Sequence, residues 1–238
     1  MRSLWLCVLV FAAMFVACSD ATQSSSDSSL SDSLENSSSS AVGCKTEKED
    51  NCEYGELMDN RDGQTYKTVK IADQIWMAEN LNFEVDSSFC YKDSAEYCEK
   101  YGRLYTWAAA VGKPENECGF DKICSLPSGN VQGVCPEGWH LPSKTEWEAL
   151  FATADGQSTF LKSKPGWYGS DSFGFSALQA GLRNHVGEYS YGGEEAYFWS
   201  STEHCNFGAY KADLFYEILS ELDYRDKSYA YSVRCIKD

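Results

Sequence analysis

Residues 135–150, CPEGWHLPSKTEWEAL, leave this chain few ways to fold. Pro136, Glu137 and Gly138 make a turn, residues 139–141 can extend, and Pro142 ends the extension while biasing Leu141 away from helix. Ser143 and Glu146 then form an S-x-x-E capping box, in which each side chain satisfies a backbone donor at the other position. A helix therefore starts here. Its apolar residues Trp147, Leu150, Phe151 and Ala154 recur at i, i+3, i+4 and i+7, which gives one stripe to bury, and Gly156 stands where a helix C-terminal glycine is expected.

The 11 cysteines narrow the setting. They contain no C-x-x-C pair at zinc spacing, so an oxidising compartment explains them better than metal binding or a reducing cytosol does. A chain of 238 residues suits one sizeable domain once its ends are discounted, and abundant aromatics with dispersed Tyr, Gly, Ser and Asn suit a strand- and loop-rich fold. The net charge is −16; Arg2 is the only charged residue of 1–17 and Asp20, Asp27, Asp32 and Glu35 the only ones of 18–43, which leaves −13 for residues 44–238. Such a surface repels nucleic acid and anionic headgroups and favours a neutral glycan, a cation or a basic partner.

Residues 1–17 read as a signal peptide, with Arg2 as the positive end and an apolar run over 4–16 that is short for a permanent membrane span. Phe15-Val16-Ala17-Cys18 resembles the end of a bacterial lipoprotein signal. That resemblance implies that Cys18 becomes the lipid-modified first residue of the mature protein, and Ser19, in place of a retention Asp, favours the outer membrane. An ordinary secretory signal with an incidental cysteine is the alternative. Residues 18–43 are Ser-rich with scattered acids, expected to be a disordered tether; about 25 residues of flexible coil would span roughly 25–30 Å.

From residue 44 a domain is expected to run to 238. Cys44 with Cys52, Cys90 with Cys98, and Cys118 with Cys124 have the spacing of small disulfide-closed loops, although spacing alone does not fix connectivity. Residues 66–71 and 74–77 read as a β-hairpin turning at Ala72-Asp73. Asp59 to Gly63 reads as a turn, since Arg61 and Gly63 occupy positions where a calcium loop needs oxygen ligands. Leu104, Trp107, Ala108 and Val111 suggest a first helix over 105–111, and residues 127–133 a loop. Strand-like runs are expected at 159–163, 173–178, 181–184, 197–202, 209–214 and 229–236, with no fixed repeat period.

Taken in order, YKTVKIADQIWMAENL, CEKYGRLYTWAAA, CPEGWHLPSKTEWEAL, FGFSALQAGLRN, YFWSSTE and YSVRCIKD resemble the Fibrobacter succinogenes major paralogous domain, a family of secreted or lipid-anchored proteins without an established activity. More distantly, GWHLPSKTEWEAL, FWSSTE and the closing VRC are similar to the formylglycine-generating, sulfatase-modifying branch of the C-type-lectin-like fold. The resemblance implies an α+β, C-type-lectin-like domain: two helices around a small, twisted, mostly antiparallel sheet with long loops. It also implies that Cys135 pairs with Cys235. With Cys7 and Cys18 set aside, four pairs leave one of nine cysteines over, and Cys205 is the expected odd thiol.

The chemistry-bearing residues favour binding over catalysis. His140, His185 and His204 sit in no zinc pattern, no G-x-S-x-G elbow is present, and Cys205 lacks a second thiol for copper if Cys235 is bridged. The acid pair Glu194-Glu195 is unremarkable in so acidic a chain. FWSSTE also lacks the Asn-Asp pair of calcium-dependent lectins, so no metal or cofactor is expected. Trp199, Arg183 and Glu203 either line a pocket or pin loops, whereas Tyr189, Tyr191, Tyr197 and Tyr210 can stack on sugar rings or pack a protein partner. The expectation is a lipid-anchored envelope module, not an enzyme, that displays loops 185–196, 203–208 and 216–228 toward a glycan or protein. A secreted enzyme, formylglycine-generating or carbohydrate-active, and a purely structural envelope protein are the alternatives.

Overall fold

The computed structural model describes residues 43–164, 166–215 and 220–238. The expected signal peptide, the expected lipid-modified Cys18 and the expected tether up to residue 42 lie outside the described residues. In chain order the strands are β1 (Tyr54–Met58), β2 (Thr65–Ile71), β3 (Gln74–Met77), β4 (Ser88–Phe89), β5 (Leu104–Thr106), β6 (Trp139–His140), β7 (Leu182–Arg183), β8 (Tyr189–Ser190), β9 (Ala196–Glu203), β10 (Gly208–Leu214), β11 (Ser220–Asp226), β12 (Ala230–Tyr231) and β13 (Ile236–Lys237). The helices are α1 (Ala95–Tyr101), α2 (Trp107–Ala110), α3 (Glu115–Cys118) and α4 (Lys144–Thr153).

These elements make a mixed α+β domain with short helices and antiparallel sheets ordered β1-β2-β3-β13-β6, β4-β5-β12-β7-β8 and β11-β10-β9. Strand β9 joins the last two of these: the Trp199 amide donates to the Ser232 carbonyl at 3.1 Å, the Ser232 amide to the Tyr197 carbonyl at 3.1 Å, and the Gly181 amide to the Glu195 carbonyl at 2.9 Å. Disulfides join Cys44 to Cys52, Cys90 to Cys98, Cys118 to Cys124, and Cys135 to Cys235. Cys205 is disulfide-bonded too, so the odd thiol expected there is not found.

The capping box starts α4 as its residues dictate. The Ser143 amide donates to Glu146 Oε2 at 2.8 Å and the Glu146 amide to Ser143 Oγ at 3.3 Å, a contribution of about 1 kcal/mol for the cap. Glu146 Oε1 also meets His140 Nε2 at 2.9 Å, and His140 Nδ1 meets Asp238 Oδ1 at 2.7 Å, which ties the helix start to β6 and the C-terminal residue. The apolar stripe then buries Trp147 among Trp76, Phe175 and Phe198, with ring centroids 5.0, 6.1 and 5.4 Å away. Gly156, at φ 68°, closes the helix by donating its amide to the Phe151 carbonyl at 2.8 Å.

Several local expectations give way to tertiary structure. Tyr105 and Thr106 are strand, not helix, because β5 pairs with β12 through Tyr105↔Tyr231 and Thr106↔Ala230; the helix begins one residue later, capped by the Thr106 side chain. Helix α1, inside the segment expected to be only a disulfide loop, leads from Cys98 toward β5. Residues 159–163 and 173–178 form no strand and share one parallel bridge, Lys162↔Ala177. Here Asp171 folds the chain into a turn instead, accepting from the Ser176 amide and hydroxyl, each at 2.7 Å. Arg234, fully buried, donates to the Ser176 carbonyl at 2.8 Å and to Asn80 Oδ1 at 2.8 Å, holding that turn against the last strands. Most of the loop expected at 216–228 is strand β11, and residues 229–236 divide into β12 and the start of β13.

Candidate functional site

Parity along the three-stranded sheet builds the site. Register pairs Asp213 with Tyr197 and Glu221, and Lys211 with Asp223. Successive side chains alternate faces, so Tyr197, Lys211, Asp213, Glu221, Asp223 and Arg225 share one face while Phe198, Ala212, Leu214 and Leu222 pack with α4 in the core. The first face floors a cavity of about 460 Å³, walled by Tyr191 and Glu195 from one loop and by Tyr229 and Tyr231 from the return toward β12. That volume falls in the range of small-molecule sites.

One wall is aromatic. Tyr197 and Tyr231 stack with centroids 5.3 Å apart, Tyr231 leans on buried Trp199 at 4.5 Å, and Tyr191 and Phe215 lie 6.3 and 6.1 Å from Tyr197. The Tyr197 hydroxyl donates to Glu195; burial, reinforced by that carboxylate, keeps the phenol protonated far above its usual range.

The floor is charged. Lys211 and Asp213 form a buried ion pair through Asp213 Oδ2, and Lys211 Nζ reaches Asp223 Oδ2 at 3.9 Å. Asp213 Oδ1 is buried without a hydrogen-bond partner, and the Arg225 side chain reaches the Tyr231 hydroxyl. Burial pushes the Asp213 carboxyl up to about 6 despite the opposing pull of Lys211. A buried polar atom with no partner costs on the order of 1–3 kcal/mol, so the cavity holds an acceptor that a ligand would satisfy.

The rim is held in a demanding conformation. Tyr191 has φ 60°, unusual for a bulky residue, and is about half exposed. Both the Glu194 and Glu195 amides donate to its carbonyl at 3.0 Å. Gly192 donates its amide to the Tyr91 hydroxyl at 3.1 Å and lies so close to that ring that a Cβ would come within 2.3 Å of it, so the turn requires glycine there.

Of the seven ligand-contacting residues expected from sequence, the cavity brings together Tyr191 and Tyr197. Trp199 is fully buried, its indole donating to the Tyr105 carbonyl at 2.8 Å; it supports Tyr231 from behind and cannot face a ligand. Arg183 lies over the Phe89 ring at 4.0 Å, and Tyr189 donates to Asp93 Oδ1 at 2.5 Å, both outside the cavity lining. Glu203 accepts from the Cys124 amide at 2.9 Å and from Lys227, so it pins loops. Tyr210 is on the opposite sheet face, 3.1 Å from His204 Nδ1. Sequence reasoning missed Asp213, Lys211, Tyr231 and the charged face of β11; in SELDYRD the alternation of Leu222 and Tyr224 with charged residues was the available signal.

Among the described residues no group of three or more His, Cys, Asp or Glu is placed to hold a metal ion, and no helix is long and apolar enough to cross a membrane. Fold and site thus define a disulfide-stapled α+β domain of an oxidising, extracellular or envelope environment. The chain belongs to the Fibrobacter succinogenes major domain family, whose sequence profile matches residues 69–237. No curated protein and no solved structure matches it.

Proposed function

We propose that this is a lipid-anchored cell-envelope binding module, C-type-lectin-like in architecture, whose cavity takes a saccharide. The observation that carries this reading is an unsatisfied acceptor, Asp213 Oδ1, beside the aromatic wall of Tyr191 and Tyr197. A sugar hydroxyl can donate to that carboxylate while an apolar ring face lies on tyrosine. The lectin-like part rests on the return of β13 between β3 and β6 and on the Cys135–Cys235 bridge beside the capped helix. The anchor rests on Phe15-Val16-Ala17-Cys18 and the acidic Ser-rich segment behind it, and it orients the domain outward from an outer membrane. Catalysis is not part of the reading: Cys235 is bridged to Cys135, which leaves Cys205 no second thiol for copper.

Calorimetric titration with oligosaccharides, repeated on Tyr191→Ala, tests the cavity. Loss of binding by about tenfold or more in a variant that melts like the parent is expected from removing an aromatic platform; an unchanged affinity would exclude this cavity as the site. Metabolic labelling with a tagged fatty acid tests the anchor, and label retained after Cys18→Ser would refute it.

A further inference from the structure

The cavity lining holds more acid than base. Glu195, Asp213, Glu221 and Asp223 face Lys211 and Arg225, and Lys211 is already engaged with Asp213 and lies 3.9 Å from Asp223. An ionised carboxylate only accepts, so Asp213 Oδ1 calls for a donor, and a neutral hydroxyl placed there would leave the excess negative charge of the lining in place. An ammonium group satisfies both demands with a charge-assisted bond. Tyr191 supplies a ring face that attracts a cation, beside Tyr197 and Tyr229, whose rings already face Lys211 at 5.4 Å and Arg225 at 5.8 Å, and the net charge of −16 draws cations toward the chain from solution.

Resting on the saccharide reading above, we propose that the ligand is an amino sugar with a free amine, whose ammonium group sits against Asp213 Oδ1 with Glu221 and Asp223 at the rim. Glu221 and Asp223 are exposed and belong to the face of β11 turned away from the core, so they shape selectivity without holding the fold. The buried Asp213 carboxyl, held up near 6 by desolvation, gains a compensating charge when the amine enters.

Three β-1,4-linked tetrasaccharides that differ only at C2, carrying amine, acetamide or hydroxyl, test the proposal by titration of the full chain near pH 6.5, where Asp213 ionises and the sugar amine, made less basic than a lysine by the oxygens around it, keeps part of its charge. The amine form is expected to bind about tenfold or more tighter than the other two, with affinity falling as salt rises. Glu221→Gln with Asp223→Asn should weaken that preference while thermal melting stays parental. Equal binding of all three sugars would overturn the amine proposal and leave the saccharide reading standing; binding of none would overturn both. A blocked tri-lysine peptide that binds as tightly as the amine sugar while the neutral sugars fail would assign the site to a basic peptide and overturn the sugar. An amine preference untouched by both the rim substitutions and Asp213→Asn, in variants that melt like the parent, would show only attraction to the acidic surface elsewhere, and so refute this site.

Discussion

Replacing both Cys135 and Cys235 with alanine should destabilise the domain more than removing any of the three small bridges. The chain-entropy argument assigns a cross-link a stabilisation that grows with the logarithm of the loop it closes. For a sequence separation of 100 it gives about 4.7 kcal/mol, and for separations of 8 and 6 about 2.5 and 2.2 kcal/mol. None of the small loops lies within residues 135–235, so they do not shorten that loop. Cys118 and Cys124 are buried much as Cys135 and Cys235 are, which makes Cys118→Ala with Cys124→Ala a control for lost packing. The first pair should therefore cost about 2.5 kcal/mol more than the second. Urea denaturation without reductant, followed by tryptophan fluorescence, reads the difference. The denaturant slope should also rise, since the unbridged unfolded chain exposes more surface. Equal losses for the two pairs, or a larger loss for the control, would refute the reasoning.

Two further outcomes follow from the core and the helix start. Trp147→Ala removes a fully buried indole and should cost about 3–5 kcal/mol; a loss under about 1 kcal/mol on denaturation would show that α4 is not seated as described. For His140, burial lowers the imidazole's affinity for a proton, but Glu146 and Asp238 outweigh it and raise its pKa above 6.5. A raised folded-state pKa means stability fully present below pH 6.5 and lost as pH climbs through the folded value. Comparison with His140→Gln across pH should show the parent's advantage shrinking in that window; an advantage that grows with rising pH would contradict the clamp.

What could be read from the chain was local. The capping box, its buried stripe and the hairpin of β2 and β3 each lie within a dozen or so residues, where spacing and turn chemistry suffice. Tyr105 illustrates the limit: the helical spacing of Leu104, Trp107, Ala108 and Val111 was genuine, but pairing with Tyr231, 126 positions away, extended Tyr105. Residues 173–178 carry strand-forming aromatics, yet the Asp171 side chain captures the Ser176 amide and makes a turn. The cavity was illegible for the same reason. Its acceptor comes from β10, its phenol from β12 and its rim from the loop around Tyr191, and an acid at position 213 gains meaning only once burial leaves one of its oxygens alone. The Tyr- and Gly-rich stretch drew attention to the right loop but overstated it, since Tyr189 is spent on Asp93.

Strand β11 separates its duties by position number: Leu222 and Tyr224 belong to the body of the protein, and Glu221, Asp223 and Arg225 to whatever enters the cavity. Three alternate codons thus set the charge and reach of the rim with no demand on packing. A combinatorial library confined to those three positions would be expected to yield mostly folded proteins of differing taste, which makes this strand a natural dial for retargeting the domain.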